Sequence, residues 1–449
     1  MRLTAFARAC AHYDKGELPQ ALAAFTQALD EQPGDVAVLY RSMLTLVAMR
    51  RYADCATWLQ ELLPHIDPAK SSPEMMAGFH YNLGVAYDAS GQWGAADRCY
   101  RNALAFDASA VLPKINLGSN CYRAGKPDEG KQWHDKALLP PTVDIESRPA
   151  RSFVKLQRGD YLSGFAEYES RWKLPQVLAH SYIPNAVRWQ GKPLNGKHLL
   201  VVGEQGIGDT IFMSRYFPLI EALGGKIVLV CNPVLHRLFA YNFPNVRIFP
   251  FPGQLCRWWV PMMSLPFVFR TTLDTIPFAT EPYLTPLPMD QPVRTKGFHV
   301  GYVSNGNPMF MADHDRSAPP NAFAPLLAMA SDTLHFHDLS EAADKRRGFT
   351  DMADTAALVQ HLDLVVTVDT AMFHLAASMG KLTWMLPMTS PTWFCGNLPT
   401  AGGENASVRS PWYGPWHRLV RRTRVDAWPE VMQRIVNDLN ILTAKPIAV

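Results

Sequence analysis

A period of 34 residues runs through the first third of the chain and restricts what can form there. Laid against itself at that offset, the sequence aligns Gly91 with Gly125, Leu83-Gly84 with Leu117-Gly118, and Ala103 with Ala137. A period of this length belongs to paired antiparallel helices. An upstream unit carries Gly16, Ala21, Phe25, Ala28 and Pro33 at the same offsets, and a degenerate one carries Tyr52, Cys55, Leu59 and Leu62. Small residues (Gly84, Ala96, Ala103) stand where the two helices of a hairpin approach closely, and large ones (Tyr87, Tyr100, Trp93) fill the space between. One hairpin cannot bury its apolar face alone, so the units are expected to stack into an α-solenoid with a continuous core.

The four units, over residues 1–140, resemble tetratricopeptide repeats. A seven-residue insertion, Asp67 to Pro73, lengthens one loop between the second and third units. A fifth, atypical unit keeps Gly159, Tyr161, Gly164 and Tyr168 but has Arg151-Ser152 in place of Leu-Gly. It reads as a capping hairpin within a connecting segment, 141–190. Asn82 and Asn116 occupy one repeat position on the inner helices of consecutive units. A ladder of such amides can hold the backbone of an extended peptide acceptor, since each offers a donor and an acceptor. The alternative is that Asn is simply common at this repeat position.

The rest of the 449 residues exceeds what the solenoid uses and leaves room for about two more domains. With 48% apolar and 18% charged residues, disordered and disulfide-scaffold classes are excluded. A net charge of +3, from 43 basic and 40 acidic residues, gives no field that predicts a nucleic-acid or membrane partner. No apolar run reaches the ~20 residues needed to span a bilayer, and Asp14, Lys15 and Glu17 interrupt the start before a signal-peptide core forms, so a cytoplasmic location is expected. Seven scattered cysteines without a Cys-x-x-Cys pair read as reduced, mostly buried thiols and give no metal site.

Past Trp189 the pattern changes. Apolar runs at Leu199 to Val202, Ile227 to Val230 and Val246 to Phe249 alternate with turns and an amphipathic stretch from Ile211 to Leu223. After a segment rich in proline and charge at 285–297 (Pro286, Pro288, Pro292), further runs follow at Phe298 to Val303, Leu334 to Phe336 and Leu364 to Val368. This is the grammar of two Rossmann-like α/β units in tandem, 191–292 and 293–449. Ligands of such sheets bind at the carboxyl ends of the strands, and two facing units place a cleft between them.

Two strand-to-helix loops carry the chemistry. In GEQGIGDT (203–210), Gly203, Gly206 and Gly208 permit a tight turn, and Asp209 follows at the helix start. The glycine order fits neither the dinucleotide fingerprint nor a P-loop. Asp209 is either a helix cap or, like Glu204 on the same loop, a carboxylate able to take a proton from an acceptor hydroxyl. In DTAMFHLAASMG (369–380), Asp369 and Thr370 open a helix whose N-terminal amides favour a phosphate, and His374 shares the face of Thr370. A capped helix with a packed histidine is the alternative. The Asn-containing turn from Ser304 to Pro308 either lines a nucleotide or sugar pocket or simply turns the chain. Arg418, Arg421, Arg422 and Arg424 form either a reception surface for an anion or a solvated run. His335 and His337 read as structural, and Trp258, Trp259, Trp393, Trp412 and Trp416 as core with ring stacking as the alternative.

Region 190–440 resembles glycosyltransferase family 9, the heptosyltransferase-like enzymes of GT-B fold, in the variety fused to tetratricopeptide repeats. The matching residues are GEQGIGD with Arg215-Tyr216, VSNGNP (303–308) with Arg316-Ser317-x-Pro319, Asp354-Thr355-Ala-Ala-Leu358, VDTAMFHLA (368–376) and Ser410-Pro-Trp-Tyr413. The resemblance implies a bacterial-type inverting transfer of a sugar from a nucleotide-diphosphate-sugar donor, with no metal and no cofactor. On it, Asp209, with Glu204 as competitor, matches the base. Asp369, Thr370, His374 and Arg316 match the donor side, where Ser304, Asn305 and Asn307 would line the pocket. Joined to a repeat groove, it resembles O-linked N-acetylglucosamine transferases and implies a protein acceptor, such as a surface or flagellar protein, held by the repeats through Asn82 and Asn116. The alternatives are a glycan or lipid-linked acceptor, and a non-catalytic repeat scaffold with a degenerate GT-B half. The chain departs from the family at Thr370-Ala371, where heptosyltransferases carry Thr-Gly, and in a first α/β unit, about 196–290, that is short for the family.

Overall fold

The computed structural model describes residues 4–444 apart from 33, 67–70, 140–142, 175–176, 179–180, 182–183, 251–255, 289–295, 391 and 397–406. Pro33, most of the expected insertion at 67–73, Pro175, Pro292 and the expected boundary at 292/293 lie outside the described residues. The chain divides into two compact units, Met1–Cys121 with Asp128–Val143, and Tyr122–Pro127 with Asp144–Val449.

The repeat segment forms four helical hairpins: α1 (Ala5–Asp14) with α2 (Leu18–Glu31), α3 (Val36–Ala48) with α4 (Tyr52–Leu62), α5 (Pro73–Ala89) with α6 (Trp93–Phe106), and α7 (Val111–Arg123) with α8 (Pro127–Leu138). Thr4, Asp35 and Ser72 accept backbone N–H bonds at the starts of α1, α3 and α5, satisfying donors that a helix leaves free. The spacing of small and large residues has the anticipated cause. A Cβ on Gly84 would lie 2.5 Å from the Tyr100 ring, so glycine there is what lets α5 and α6 approach. Ala96, Tyr100 and Leu117 then share one core cluster across successive hairpins, as stacking requires.

The helices Ser147–Gln157 and Tyr161–Tyr168, read from sequence as the fifth hairpin, fall in the second unit. Arg151, in place of the repeat's leucine, is buried against Glu167. The Trp412 indole donates to Tyr161 Oη at 2.8 Å, and Phe165 packs edge-on against Trp393. The hairpin is therefore part of this unit's aromatic core.

Two sheets follow. The first holds β1 (Val187–Arg188), β2 (His198–Val202), β3 (Lys226–Val230), β4 (Arg247–Phe249) and β5 (Trp258–Pro261), in the order β1-β5-β2-β3-β4, all parallel. The second holds β6 (Phe298–Val303), β7 (Leu334–Asp338), β8 (Leu364–Val368), β9 (Thr383–Leu386), β10 (Ser407–Val408) and β11 (His417–Val420), in the order β10-β11-β9-β8-β6-β7. Only β10 is antiparallel. The six apolar runs named from sequence are β2, β3, β4, β6, β7 and β8. The short strands β5, β9 and β11 were not separable from sequence, because runs of four residues with as few as two apolar ones carry too little pattern.

The amphipathic stretch Ile211 to Leu223 is not one helix. Helix Ile207–Met213 begins earlier, passes through a single 3-10 turn at Ser214–Tyr216, and Pro218 sits in the first turn of Phe217–Ala222. Proline lacks the N–H that a continuous helix would need there. In each sheet the chain reverses its direction of growth once, between β2 and β5 in the first and between β6 and β8 in the second. Those switch points are where an open α/β sheet leaves a crevice at its carboxyl edge.

Candidate active site

Each chemistry-bearing loop leaves its sheet at a switch point. GEQGIGD follows β2, and DTAMFH follows β8. Their helices, Ile207–Met213 and Ala371–Ser378, pack against each other. They come close at Gly208, where a Cβ would lie 3.0 Å from His374 Cδ2 and 3.1 Å from Ala371 Cα. Glycine at 208 thus lets the loop of the first sheet touch the helix start of the second.

Asp209 is partly exposed and sits at the third position of its helix, with Gly206 as the N-cap residue. Its Oδ2 accepts the Gly206 N–H at 2.9 Å, so it does serve the helix start, in line with the capping reading. Removal from bulk water raises its pKa to about 6, and the charges of Asp369 and Glu204 push the same way against the Gly206 bond. Gln205, just before the N-cap residue, has φ +63 and its amide donates to Tyr168 Oη. A left-handed non-glycine residue of this kind stores strain beside the carboxylate.

Glu204 has a different fate. Its Oε1 accepts from Arg171 Nη2 at 2.8 Å and from the Met263 N–H at 3.0 Å. Arg171 also bonds Glu169 and Ser264, and Arg188 joins the same pair, giving one buried network under the loop. Glu204 is thus committed to an ion pair that bridges the loops after β2 and β5, whereas Asp209 has no cation partner in any ion pair among the described residues.

On the second sheet, Asp369 is buried and its pKa is raised to about 6 by that burial, opposed by a 3.1 Å bond from Thr392 Oγ1 and by the Arg316 charge. Asp369 precedes the helix. Thr370 is the N-cap residue and its Oγ1 accepts the Met372 N–H at 3.3 Å. His374 is 6% exposed, its Nδ1 lies 2.8 Å from Tyr413 Oη, and burial with the nearby Arg215 charge lowers its pKa to about 3. It is a neutral imidazole at working pH. Arg215 is fully buried, donating to the carbonyls of Phe212 (2.9 Å) and Trp412 (2.6 Å) and to Tyr283 Oη (3.1 Å), with its guanidinium over the Tyr413 ring.

Arg316 reaches the same edge. It donates to Asp313 Oδ1 at 2.7 Å and to the Asp369 carbonyl at 3.4 Å. The turn after β6 folds onto it. Asn307 O accepts from Arg316 Nη2 at 3.0 Å, Gly306 lies against the guanidinium, and Gly306 N–H donates to Ser317 Oγ. Ser304 bonds Asn305 Oδ1, Asn305 Nδ2 bonds Ala318 O, and Asn307 Oδ1 accepts Met309 N–H. These polar side chains hold the turn itself, and with it Arg316, beside Asp369.

The remaining residues singled out from the sequence separate cleanly. Asn82 is buried and its amide donates to Gly78 O, four residues back in its own helix, at 2.8 Å, while Asn116 is half-buried. The Asn82 donor is thus spent within its own helix. The arginine run is split, with Arg421 and Arg422 buried and Arg424 exposed. Arg418 pairs with Asp438, Arg424 with Asp426 and Glu430, and Arg422 with the fully buried Asp315. Arg421 is buried and bonds Cys395 O. His335 and His337 cluster with His299, whose Nδ1 is 2.9 Å from His337 Nε2. Among the described residues no group of three or more His, Cys, Asp or Glu is placed to hold a metal, and no helix is long and apolar enough to cross a membrane. Trp393 and Trp412 are core residues. Sequence reasoning missed Arg171, Met263 and Thr392, which act on the site from other stretches of chain and carry no motif, and Asp313, three residues before the Arg316 that it holds. Tyr413 was visible only as part of Ser410-Pro-Trp-Tyr413.

Comparison with known proteins gives a family match and several similar proteins. Residues 347–384, which contain β8, Asp369 and His374, match the family model described as glycosyltransferase family 9 (heptosyltransferase). Protein FlbA of Caulobacter vibrioides is 25% identical over 346 residues, covering 66% of this chain and 55% of that protein, so the match spans about half the relative's length. Among solved structures, MamA (41-end) from Desulfovibrio magneticus RS-1 is similar at 19% identity over 30% of this chain and 72% of its own, with a TM-score of 0.27. A thermophilic TPR protein of Thermus thermophilus is similar at 19% identity over 39% and 92%, with a TM-score of 0.31.

Proposed function

We propose, for a chain that joins tetratricopeptide-type hairpins to a glycosyltransferase family 9 segment, that the second unit is a GT-B-type inverting transferase in which Asp209 is the base. The observation that carries this reading is the meeting of the two switch points, with a carboxylate of pKa about 6 on one side and a helix start with a neutral histidine on the other. In the reaction, Asp209 takes the proton of an acceptor hydroxyl as its oxygen bonds the anomeric carbon. The bond from that carbon to the diphosphate oxygen breaks on the opposite face, and the nucleoside diphosphate leaves with the electron pair. A pKa near working pH suits a base that must be ionised yet still hold a proton in transit.

Charge developing on the leaving group falls at the start of helix Ala371–Ser378, where the amides and the Arg316 guanidinium stabilise it. The Tyr413 phenol, which burial keeps protonated by raising its pKa well above the ordinary value, lies within hydrogen-bond distance of His374 Nδ1; with the phenol as donor, the ring proton stands on Nε2 as a further donor. The donor is a nucleotide-diphosphate sugar and the acceptor is a protein hydroxyl engaged by the repeats. One observation favours a second reading, a non-catalytic scaffold: Ala371 stands against Gly208 where the resembling family has glycine. Release of nucleoside diphosphate from a panel of nucleotide sugars, by wild type and Asp209→Asn, separates the two. Wild-type turnover that falls by about 10²–10⁴-fold in the variant is the expected result; equal turnover in the two proteins would remove Asp209 as the base, and no turnover with any sugar would favour the scaffold.

A further inference from the structure

Six arginines of the second unit are buried, and they differ in how their charge is met. Arg123, Arg151, Arg171 and Arg422 each pair with a buried or half-buried carboxylate. Arg215 has no carboxylate but its nitrogens all donate to carbonyls and a phenol. Among the described residues, Arg421 alone has neither. Its Nη2 donates to Cys395 O at 2.9 Å, and its Nε and Nη1 are buried with no hydrogen-bond partner. Guanidinium does not deprotonate in a protein, and an unmet buried charge with two unmet donors is among the more costly features a fold can retain.

Arg421 also has a telling position. It is the first residue past β11, which runs parallel to β9, so it stands at the same carboxyl edge as Ser304 after β6 and Asp369 after β8. A chain of contacts connects it to the candidate site: Arg421 Nη2 to Cys395 O (2.9 Å), Cys395 Sγ to Thr392 Oγ1 (3.1 Å), and Thr392 Oγ1 to Asp369 Oδ2 (3.1 Å). The Cys395 thiol is no counter-ion, since burial pushes it up to about 12 and keeps it protonated.

We propose that Arg421 is the anion-binding arginine of the second sheet, and that its two unpaired N–H groups take phosphate oxygens of the donor. This rests on the transferase reading for the identity of the donor, and on Arg421 itself for the presence of an anion site. A guanidinium spreads its donors around one plane, so Nε–H and Nη1–H can each meet a different phosphate oxygen, an arrangement that the single ammonium of lysine cannot reproduce.

Calorimetric titration of the full chain with inorganic pyrophosphate tests it, using Arg421→Gln, Arg421→Lys and, as control, Arg424→Gln, whose side chain is half-exposed and paired with Asp426 and Glu430. The expected result is binding by wild type and Arg424→Gln, a loss of about tenfold or more in Arg421→Gln, and a smaller loss in Arg421→Lys. If Arg421→Gln does not fold, the Arg421→Lys comparison decides, since it keeps the charge and removes the fork. Pyrophosphate affinity that is the same in wild type and the Arg421 variants, or no binding to wild type, overturns the proposal. Arg421-dependent binding in a protein that turns over no nucleotide sugar would uphold the anion site and sink the transferase reading instead.

Discussion

Replacing Asp209 by Asn should make the protein more stable at neutral pH, and the size of the gain follows from the carboxylate's surroundings. Asn keeps the shape and still accepts the Gly206 N–H, but it removes a charge that burial and the neighbouring Asp369 and Glu204 disfavour. The native pKa of about 6 lies above the ordinary value of 3.8, so the folded state holds the proton more tightly than the unfolded one. Stability from that proton is complete below pH 3.8 and is lost as pH rises through 6, after which the native state carries an unfavourable charge. A difference of about two pH units corresponds to about 3 kcal/mol at pH 7–8. For a unit of about 300 residues that amounts to a rise in Tm of about 4–5 °C. Scanning calorimetry of wild type and variant at pH 8 and pH 4 is the assay. The variant should melt higher at pH 8 and nearly with wild type at pH 4. An equal or lower melting temperature for the variant at pH 8, or a difference independent of pH, would refute the account of Asp209 as a destabilised charge held for use.

Three further outcomes follow from the same geometry. Gly208→Ala places a methyl 3.0 Å from His374 and 3.1 Å from Ala371, so it should force the two loops apart; a loss of about 1–3 kcal/mol by denaturant unfolding, with loss of any sugar-nucleotide turnover, is expected. Glu204→Gln leaves Arg171 without the carboxylate that bridges the loops after β2 and β5; unfolding should be easier by about 3 kcal/mol, and the pH midpoint of turnover should move down, because one of the charges that raises the Asp209 pKa is gone. Asp315→Asn removes the buried partner of both Arg123 and Arg422, where the carboxylate also accepts from Thr389 and Ser390, and should destabilise the second unit by about 3–5 kcal/mol in chemical unfolding while leaving the melting of the repeat unit in place.

The periodic parts of this molecule were legible in its sequence. A 34-residue period with glycine opposite tyrosine, as at Gly84 and Tyr100, can be satisfied only by helices stacked in pairs, because the interaction that it encodes is local to one hairpin and its neighbour. The longer strands were equally plain, since a run such as Leu364–Val368 is apolar but for Thr367 and buried on both faces of a parallel sheet. The two glycine- and aspartate-bearing loops were legible too, as strand-to-helix turns that release free amides and a carboxylate. What each carboxylate became was not. Glu204 and Asp209 lie five residues apart on one loop, yet Arg171 and Met263, remote in the chain, claim the first and leave the second without an ion pair among the described residues. The four arginines near the C-terminus looked alike as a run, and only packing paired three of them and left Arg421 unmet. The physical reason is common to both cases. Periodicity reports forces between residues close in sequence, whereas burial, pKa and pairing are set by whatever distant segment the fold brings within a few ångströms.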